Sequence, residues 1–328
     1  MLKNSGDDMQ NPLPDLPKRL LLGLNDGYCN LQCPSCYVHG TNNSGNSRIL
    51  KGHMSIENAS KICKEIKNTG IYISPVLWSE PLLIENLCDY LVLIKKFGLN
   101  VFINSNGLIL TEKIAKKFVS IPIDSIFISI DATTSETLKK IRGIDKLKKI
   151  HDSVFSLLQE RNKLLSPRIG VSFVESKFNS HERADFISYW LQYVDVVRVN
   201  DVYENNIILK CLDIPQKRIP CGALYDTMAI NHRGDVPICC LDSFNKTNMG
   251  NVLQESVKTI WQGKKFEAIR RLHETGQFEK IPLCAHCNVW ISYLVKETIS
   301  NEILIRQSPI MAYYNRMDRM YTWHSRIR

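Results

Sequence analysis

Between Leu20 and about Asp201, short apolar runs alternate with longer stretches whose apolar residues recur every three or four positions. The first pattern suits β-strands and the second amphipathic helices. Strands are predicted at 20–24, 71–77, 100–104, 125–130, 168–174 and 194–200, and helices at 55–67, 82–97, 111–119, within 134–165 and at 181–193. In the first helix Ile56, Ala59, Ile62, Cys63 and Ile66 form one stripe, and Ser55 with Asn58 offers an N-terminal cap. In the second, Ile84, Leu87, Cys88 and Leu91 face one way, so Cys63 and Cys88 read as small core residues. Six strand and helix steps imply parallel strands with helices outside, either a doubly wound sheet or a barrel.

The alternation stops after Asp201. Tyr203 to Pro220 reads as a connector, followed by a hairpin through Met228, Ile230, Gly234 and Val236 whose turn is Asn231 to Gly234. A helix is expected at 257–273. Beyond residue 290, Arg306, Arg316, Arg319, Arg326 and Arg328 interleave with Tyr313, Tyr314, Tyr321 and Trp323, which reads as a C-terminal helix with a solvated basic face. The four resulting segments are a flexible tail at 1–17, a barrel at 18–202, an auxiliary domain at 203–290 and a basic helical extension at 291–328.

With 328 residues, 44% hydrophobic and 23% charged, the chain has the composition of a globular protein with one large core and a small appendage. No apolar run is long enough to span a bilayer, and the first 17 residues have no signal-type apolar centre, so a cytoplasmic location is expected. Eleven cysteines in that setting argue for reduced thiols serving as metal ligands. The net charge of +9 is a modest surplus, and nucleic-acid binding is the lesser reading of the basic tail.

Three of the thiols, Cys29, Cys33 and Cys36, sit in one tight loop after the first strand, with Tyr37 next to the last. Three thiolates on a [4Fe–4S] cluster leave one iron without a protein ligand, open to a small molecule. Zinc is the competing occupant, and His39 and His53 are near enough in sequence to complete its set. The spacing resembles the signature of the radical S-adenosylmethionine enzymes, in which the open iron chelates S-adenosyl-L-methionine. The resemblance implies a partial (β/α)6 barrel and extends to the ends of later strands.

Glu80 and Pro81 match the end of that family's Gly, Gly, Glu, Pro motif, whose acid meets the amino group of S-adenosylmethionine, but Trp78 and Ser79 stand where the glycines would be. A helix N-terminal acid is the alternative role for Glu80. Asn104, Ser105 and Asn106 before Gly107 resemble the family's Thr, Asn, Gly turn, Ser129 to Asp131 its Ser, Ile, Asp, and Lys140 to Gly143 a stretch that brings in Arg142. These are the expected cofactor-binding positions.

Cys221, the hairpin, Cys239, a helix and the pair Cys284 and Cys287 resemble the twitch or SPASM auxiliary domain. The resemblance implies a second [4Fe–4S] cluster on those four thiolates; adjacent strand residues point to opposite faces, so Cys239 and Cys240 are not expected to serve one cluster together, and the family pattern, five positions after the hairpin glycine, picks Cys239. Structural zinc is again the alternative. Cys211 is spare.

The expected function is hydrogen abstraction from an unactivated C–H bond of a small polar metabolite of sugar or aminocyclitol type, which is dehydrogenated or epimerised. Radical modification of a ribosomally made peptide or protein is the alternative, weighed down by a tail before Lys18 too short to fold as a leader-binding segment. A zinc protein that binds nucleic acid is the non-enzymatic reading. Arg198 is the candidate for substrate binding, or else pairs with Asp201, and Cys240 is the candidate hydrogen donor. A flavodoxin or ferredoxin type electron donor is the expected protein partner.

Overall fold

The computed structural model describes residues 13–40, 51–202, 217–243 and 245–320. Six parallel strands form the centre: β1 (Arg19–Leu22), β2 (Tyr72–Ser74), β3 (Asn100–Ser105), β4 (Ser125–Ser129), β5 (Arg168–Glu175) and β6 (Val196–Asp201). They lie side by side in chain order. The crossovers carry α1 (Ile56–Glu65), α2 (Leu87–Lys96), α3 (Glu112–Ser120), α4 (Ser135–Arg142), α5 (Leu147–Arg161) and α6 (Arg183–Trp190). This is the partial barrel that the resemblance implies, and one of the two architectures that the alternation allows.

Helix starts follow local chemistry. The hydroxyls of Ser55, Thr111 and Thr134 accept from the backbone N–H three residues on, capping α1, α3 and α4. The strand from 71 and the helix from 82 are shorter than expected, because Pro81 to Leu83 close a single 3-10 turn before α2 begins.

Alternation along the strands separates two faces. Val101, Ile103, Ile126, Ile128, Ile169, Val171, Phe173, Val197 and Val199 belong to the main core, with Leu91, Phe118, Val154, Phe186 and Trp190 of the helices. Each such buried side chain stabilises the fold by about 1.5–3 kcal/mol before entropy is counted. The other face carries Asn104, Phe127, Ser129, Ser172, Arg198 and Asn200, and therefore lines the barrel lumen. Cys63 is fully buried as expected, whereas Cys88 is only partly buried at the edge of the core.

The expected hairpin of the auxiliary domain is not one. A short α7 (Ala223–Asp226) leads into β7 (Thr227–Ile230), which joins the barrel sheet parallel to β1. Then β8 (Asp235–Val236) pairs instead with β9 (Gly250–Asn251). The apolar run at 227–230 completes the open edge of β1, and burying that edge outweighs a local pairing. The Asn231 to Gly234 turn survives, held by the Asn231 side-chain oxygen, which accepts from Arg233 N and Asp235 N. The helix expected at 257–273 is two, α8 (Val257–Trp261) and α9 (Lys264–Glu274), separated by Gly263 in extended backbone. The short α10 (Pro282–Ala285) follows.

The basic helical extension is overturned. Residues 296–316 form three antiparallel strands, β10 (Lys296–Ser300), β11 (Ile303–Ser308) and β12 (Met311–Arg316), and β12 pairs with β6. Asn301 and Glu302 both have positive φ, the geometry of a two-residue hairpin turn. The period is two because this segment closes an open sheet edge that no local helix pattern reveals. Tyr321, Trp323, Arg326 and Arg328 lie outside the described residues, as do Cys211 and most of the connector.

Candidate functional site

The loop after β1 carries the first three cysteines. Cys36 N donates to the Cys33 carbonyl, and the Cys36 thiol accepts from His39 N at 3.2 Å. An open cleft of about 180 Å³ beside this loop is lined by Gly27, Cys29, Gln32, Val38 and His39. Burial pushes the Cys29 thiol up to about 11, with Cys33, Cys36 and Glu80 near enough to add to the shift. Cys33 is raised too, first by burial, while the charge of Arg142 pulls the other way. The thiols therefore feel one another, and loading a metal group must displace their protons.

Of the histidines that could complete a zinc set, His39 has one ring nitrogen bonded elsewhere and His53 is held by stacking. His39 Nε2 bonds the Trp78 carbonyl at 2.9 Å, and His53 stacks on Tyr28 with ring centres 4.7 Å apart. Tetrahedral zinc with bonds of about 2.3 Å needs its sulfurs about 3.8 Å apart. Among the described residues no three cysteine, histidine or carboxylate side chains gather for a single ion. The donor chemistry suits a group broad enough to spread its thiolates over separate corners.

Glu80 is the centre of the strand-end constellation. Its Oε1 accepts from Ser105 Oγ at 2.6 Å and Leu82 N at 3.1 Å, and its Oε2 accepts from Asn106 N at 2.8 Å. Burial pushes its pKa up, and these three donors with Arg142 pull it down. Both expected roles thus converge, since the same carboxylate caps the 3-10 turn at Leu82. The carbonyl of Glu80 accepts from Asn25 Nδ2, and its N–H donates to the Tyr28 carbonyl, so the motif lies flat against the cysteine loop. Asn106 Nδ2 reaches Asn30 at 2.7 Å and ties the third strand end to the same loop.

The two missing glycines have new partners. Ser79 Oγ donates to Asn25 at 2.6 Å, and the buried Trp78 sends its indole N–H to the Cys240 carbonyl at 2.7 Å. Trp78 thereby joins the barrel to the auxiliary segment. Sequence reading missed Asn25, Asp26 and Trp78 as site residues; two polar residues directly before the cysteine loop, within an apolar strand end, were the available signal.

Asp131 sits in the left-handed region, with φ of 68°. One carboxylate oxygen accepts from Arg142 Nε at 2.9 Å and Nη2 at 2.6 Å, the other from Val174 N at 2.8 Å. Both residues are buried. Their ion pair lies within charge range of Cys33. Ser129 Oγ accepts from Ser172 Oγ at 3.1 Å on the lumen side. Tyr37 faces the auxiliary segment; burial raises its pKa, with Ser243 near enough to pull the other way.

In the auxiliary segment, burial pushes Cys221 up to about 12 and Cys284 up to about 11, and Cys239 well above the usual thiol value. Cys239 senses Cys221 and Cys284, and Cys221 senses Cys284 and Cys287. The argument that separated Cys239 from Cys240 by strand geometry does not apply, because residues 238–240 form bends and a turn, not a strand. Cys240 is exposed to solvent yet ringed by protein at longer range, which still raises its thiol pKa by desolvation. None of the described cysteines is in a disulfide.

Arg198 reaches across the lumen. Its Nη2 donates to Asn104 Oδ1 at 3.0 Å, and its guanidinium lies over the Phe127 ring at 4.8 Å. No ion pair with Asp201 forms between these described residues. A cation from β6 touching β3 and β4 is possible only on the concave face of the sheet.

Residues 27–160 match the family model described as the radical SAM superfamily, and residues 221–288 match SPASM, an iron–sulfur cluster-binding domain. A probable GTP 3′,8-cyclase of Saccharolobus islandicus is 30% identical over 182 residues, covering 55% of this chain and 54% of that protein. Another from Methanocaldococcus jannaschii is 22% identical over 260 residues, covering 79% and 76%. The chain spans about half the length of the first of these relatives.

Among solved structures, BtrN in complex with AdoMet and 2-DOIA aligns with a TM-score of 0.54 and 19% identity, covering 83% of this chain and 93% of that one. Streptococcus suis SuiB bound to S-adenosylmethionine aligns with a TM-score of 0.65 and 14% identity, covering 83% and 72%. These two share the fold. Among the described residues no helix is long and apolar enough to cross a membrane. With these two matches in the order the cysteines imply, the chain carries a radical SAM domain followed by a SPASM-type auxiliary domain, an architecture built on [4Fe–4S] clusters and S-adenosyl-L-methionine.

Proposed function

We propose that this protein is a radical S-adenosylmethionine oxidoreductase or epimerase that takes a hydrogen atom from a small polar metabolite held in the barrel lumen. The observation that carries the reading is the strap from the cysteine loop through Glu80 to Ser105 and Asn106, which brings three thiols to the mouth of a polar lumen. Cys29, Cys33 and Cys36 would hold the first cluster, and Cys221, Cys239, Cys284 and Cys287 the second. When bound, S-adenosylmethionine supplies a 5′-deoxyadenosyl radical able to abstract hydrogen from an unactivated C–H bond.

The chain's own share is placement and exclusion of water. Glu80, fixed by three donors, offers its carboxylate beside the loop. The Asp131 and Arg142 pair sets a cation near Cys33 without leaving it free to wander. Trp78 shields the seam toward Cys240, whose accessible thiol would return the hydrogen in an epimerisation.

A neutral or amino-bearing substrate is favoured over the nucleoside triphosphate named for the GTP 3′,8-cyclase relatives. A triphosphate needs a cradle of free cations. Of the arginines that the strand register places on the lumen face, Arg19 pairs with Asp226 at 3.5 Å, Arg168 is bonded to Asn315, Arg306 is paired with Glu297 at 2.7 Å, and Arg198 is partly spent on Asn104. An acidic flavodoxin or ferredoxin type donor and a cytoplasmic setting belong to the same proposal.

The test is anaerobic reconstitution with iron and sulfide, reduction in the presence of S-adenosylmethionine, and detection of 5′-deoxyadenosine. Replacing Cys29, Cys33 and Cys36 together with Ala should abolish that product and leave one cluster visible by its absorption. A triple variant that still cleaves S-adenosylmethionine overturns the reading.

A further inference from the structure

The three C-terminal strands supply a wall of the lumen. Strand β12 continues the sheet beyond β6, with Tyr313 directly opposite Arg198 and Met311 opposite Asn200. Tyr313 packs edge-on against Phe127, ring centres 6.3 Å apart, and Phe127 carries the Arg198 guanidinium on its face. Residues of β4, β6 and β12 therefore converge on one spot.

Two polar atoms there are left over. Arg198 Nε and Asn200 Oδ1 are buried without a hydrogen-bond partner among the described residues. A buried polar atom left unpaired costs about 1–3 kcal/mol, so each calls for a partner. One is a donor and the other an acceptor. They lie two residues apart on the same face of β6, about 6.8 Å along the strand at 3.4 Å per residue. Both residues keep part of their surface open.

We propose that Asn200, Arg198 and Tyr313 form a substrate subsite for a ring bearing hydroxyl or amino groups, with the C-terminal strands as its far wall. A hydroxyl accepts from Arg198 Nε, and a second hydroxyl or a protonated amine donates to Asn200 Oδ1. The Tyr313 ring gives an apolar edge against the C–H face of the ring, and its hydroxyl, which makes no hydrogen bond among the described residues, is left for the substrate. A phosphate or carboxylate satisfies only the arginine and leaves Asn200 unpaired. The inference rests on the reading of the lumen as the substrate chamber.

The test is calorimetric binding to the reconstituted full chain with S-adenosylmethionine present, using glucosamine, myo-inositol and GTP as probes. Glucosamine or myo-inositol should bind, and Asn200→Leu should weaken that binding at least tenfold. Asn200→Asp, which keeps the acceptor, should retain glucosamine. If Asn200→Leu does not fold, Tyr313→Phe, which removes a single hydroxyl, should show a loss of at least threefold. Binding of GTP alone, binding of no probe, or an unweakened Asn200→Leu overturns the inference. A preparation that forms 5′-deoxyadenosine but takes up neither glucosamine nor myo-inositol loses this subsite only; one that binds them and never forms that product loses the catalytic reading and keeps the subsite.

Discussion

Asp26 and His232, 206 residues apart, share one carboxylate oxygen: Asp26 Oδ2 accepts from His232 N at 2.7 Å and lies 3.1 Å from the ring Nδ1. Both are buried. Asp26 stands three residues before Cys29, and His232 is in the turn that precedes Cys239, so the pair registers the two cysteine regions against each other. Asp26→Ala should lower stability by about 2 kcal/mol, the scale of a buried hydrogen bond to a charged group. Urea denaturation of the wild type and variant measures it. An unchanged midpoint means the pair is incidental.

Glu80→Gln replaces one acceptor oxygen with an amide nitrogen. Whichever way the amide turns, a donor then faces Ser105 or Asn106, which already donate. A loss of about 1–3 kcal/mol is expected, with 5′-deoxyadenosine formation falling more than tenfold. Thermal unfolding and product assay together distinguish a collapsed strap from a lost cofactor contact.

Cys63 gives a pH signature free of the proposed cluster cysteines. Burial pushes its thiol from 9.0 up to about 12. The folded state therefore keeps a proton that the unfolded chain gives up above pH 9, so stability is present below pH 9 and falls as pH rises toward 12. At pH 10 the loss is about 1.4 kcal/mol. Cys63→Ala should be flatter than wild type by that amount between pH 8 and 10 in parallel urea titrations. Equal slopes would sink the assignment.

Gly170 lies beneath Phe127 on β5. An added Cβ would come 2.6 Å from the Phe127 ring and 2.8 Å from Val196 Cγ1. Gly170→Ala should cost about 1–3 kcal/mol through overpacking. It should also displace Phe127 from Arg198, weakening glucosamine or myo-inositol binding without touching the cysteine loop. Calorimetry on a variant with normal iron content checks this.

Much of the barrel was legible because its signals are local. The period-two and period-3.6 runs are set by residues within one element, and hydroxyl caps such as Thr111 act across a single turn. The cysteine spacing was equally plain, since one loop supplies all three thiols. Glu80 and Asn106 were read at strand ends and Arg142 in a stretch beyond the fourth strand, but their partners across the site were not. Ser105 bonding to Glu80 spans 25 positions, and Arg142 reaching Asp131 requires α4 to fold back over the strand ends.

What the chain determined by itself is therefore the set of elements, the two thiol groups and the polar strand ends. Tertiary structure alone decided where the edges go. Residues 227–230 chose β1 over a local hairpin, and residues 311–316 chose β6 over a helix, because each exposed sheet edge holds unpaired N–H and C=O groups that a distant strand satisfies. That same choice carried Tyr313 into the lumen beside Arg198, a meeting of residues 115 positions apart that no periodicity encodes.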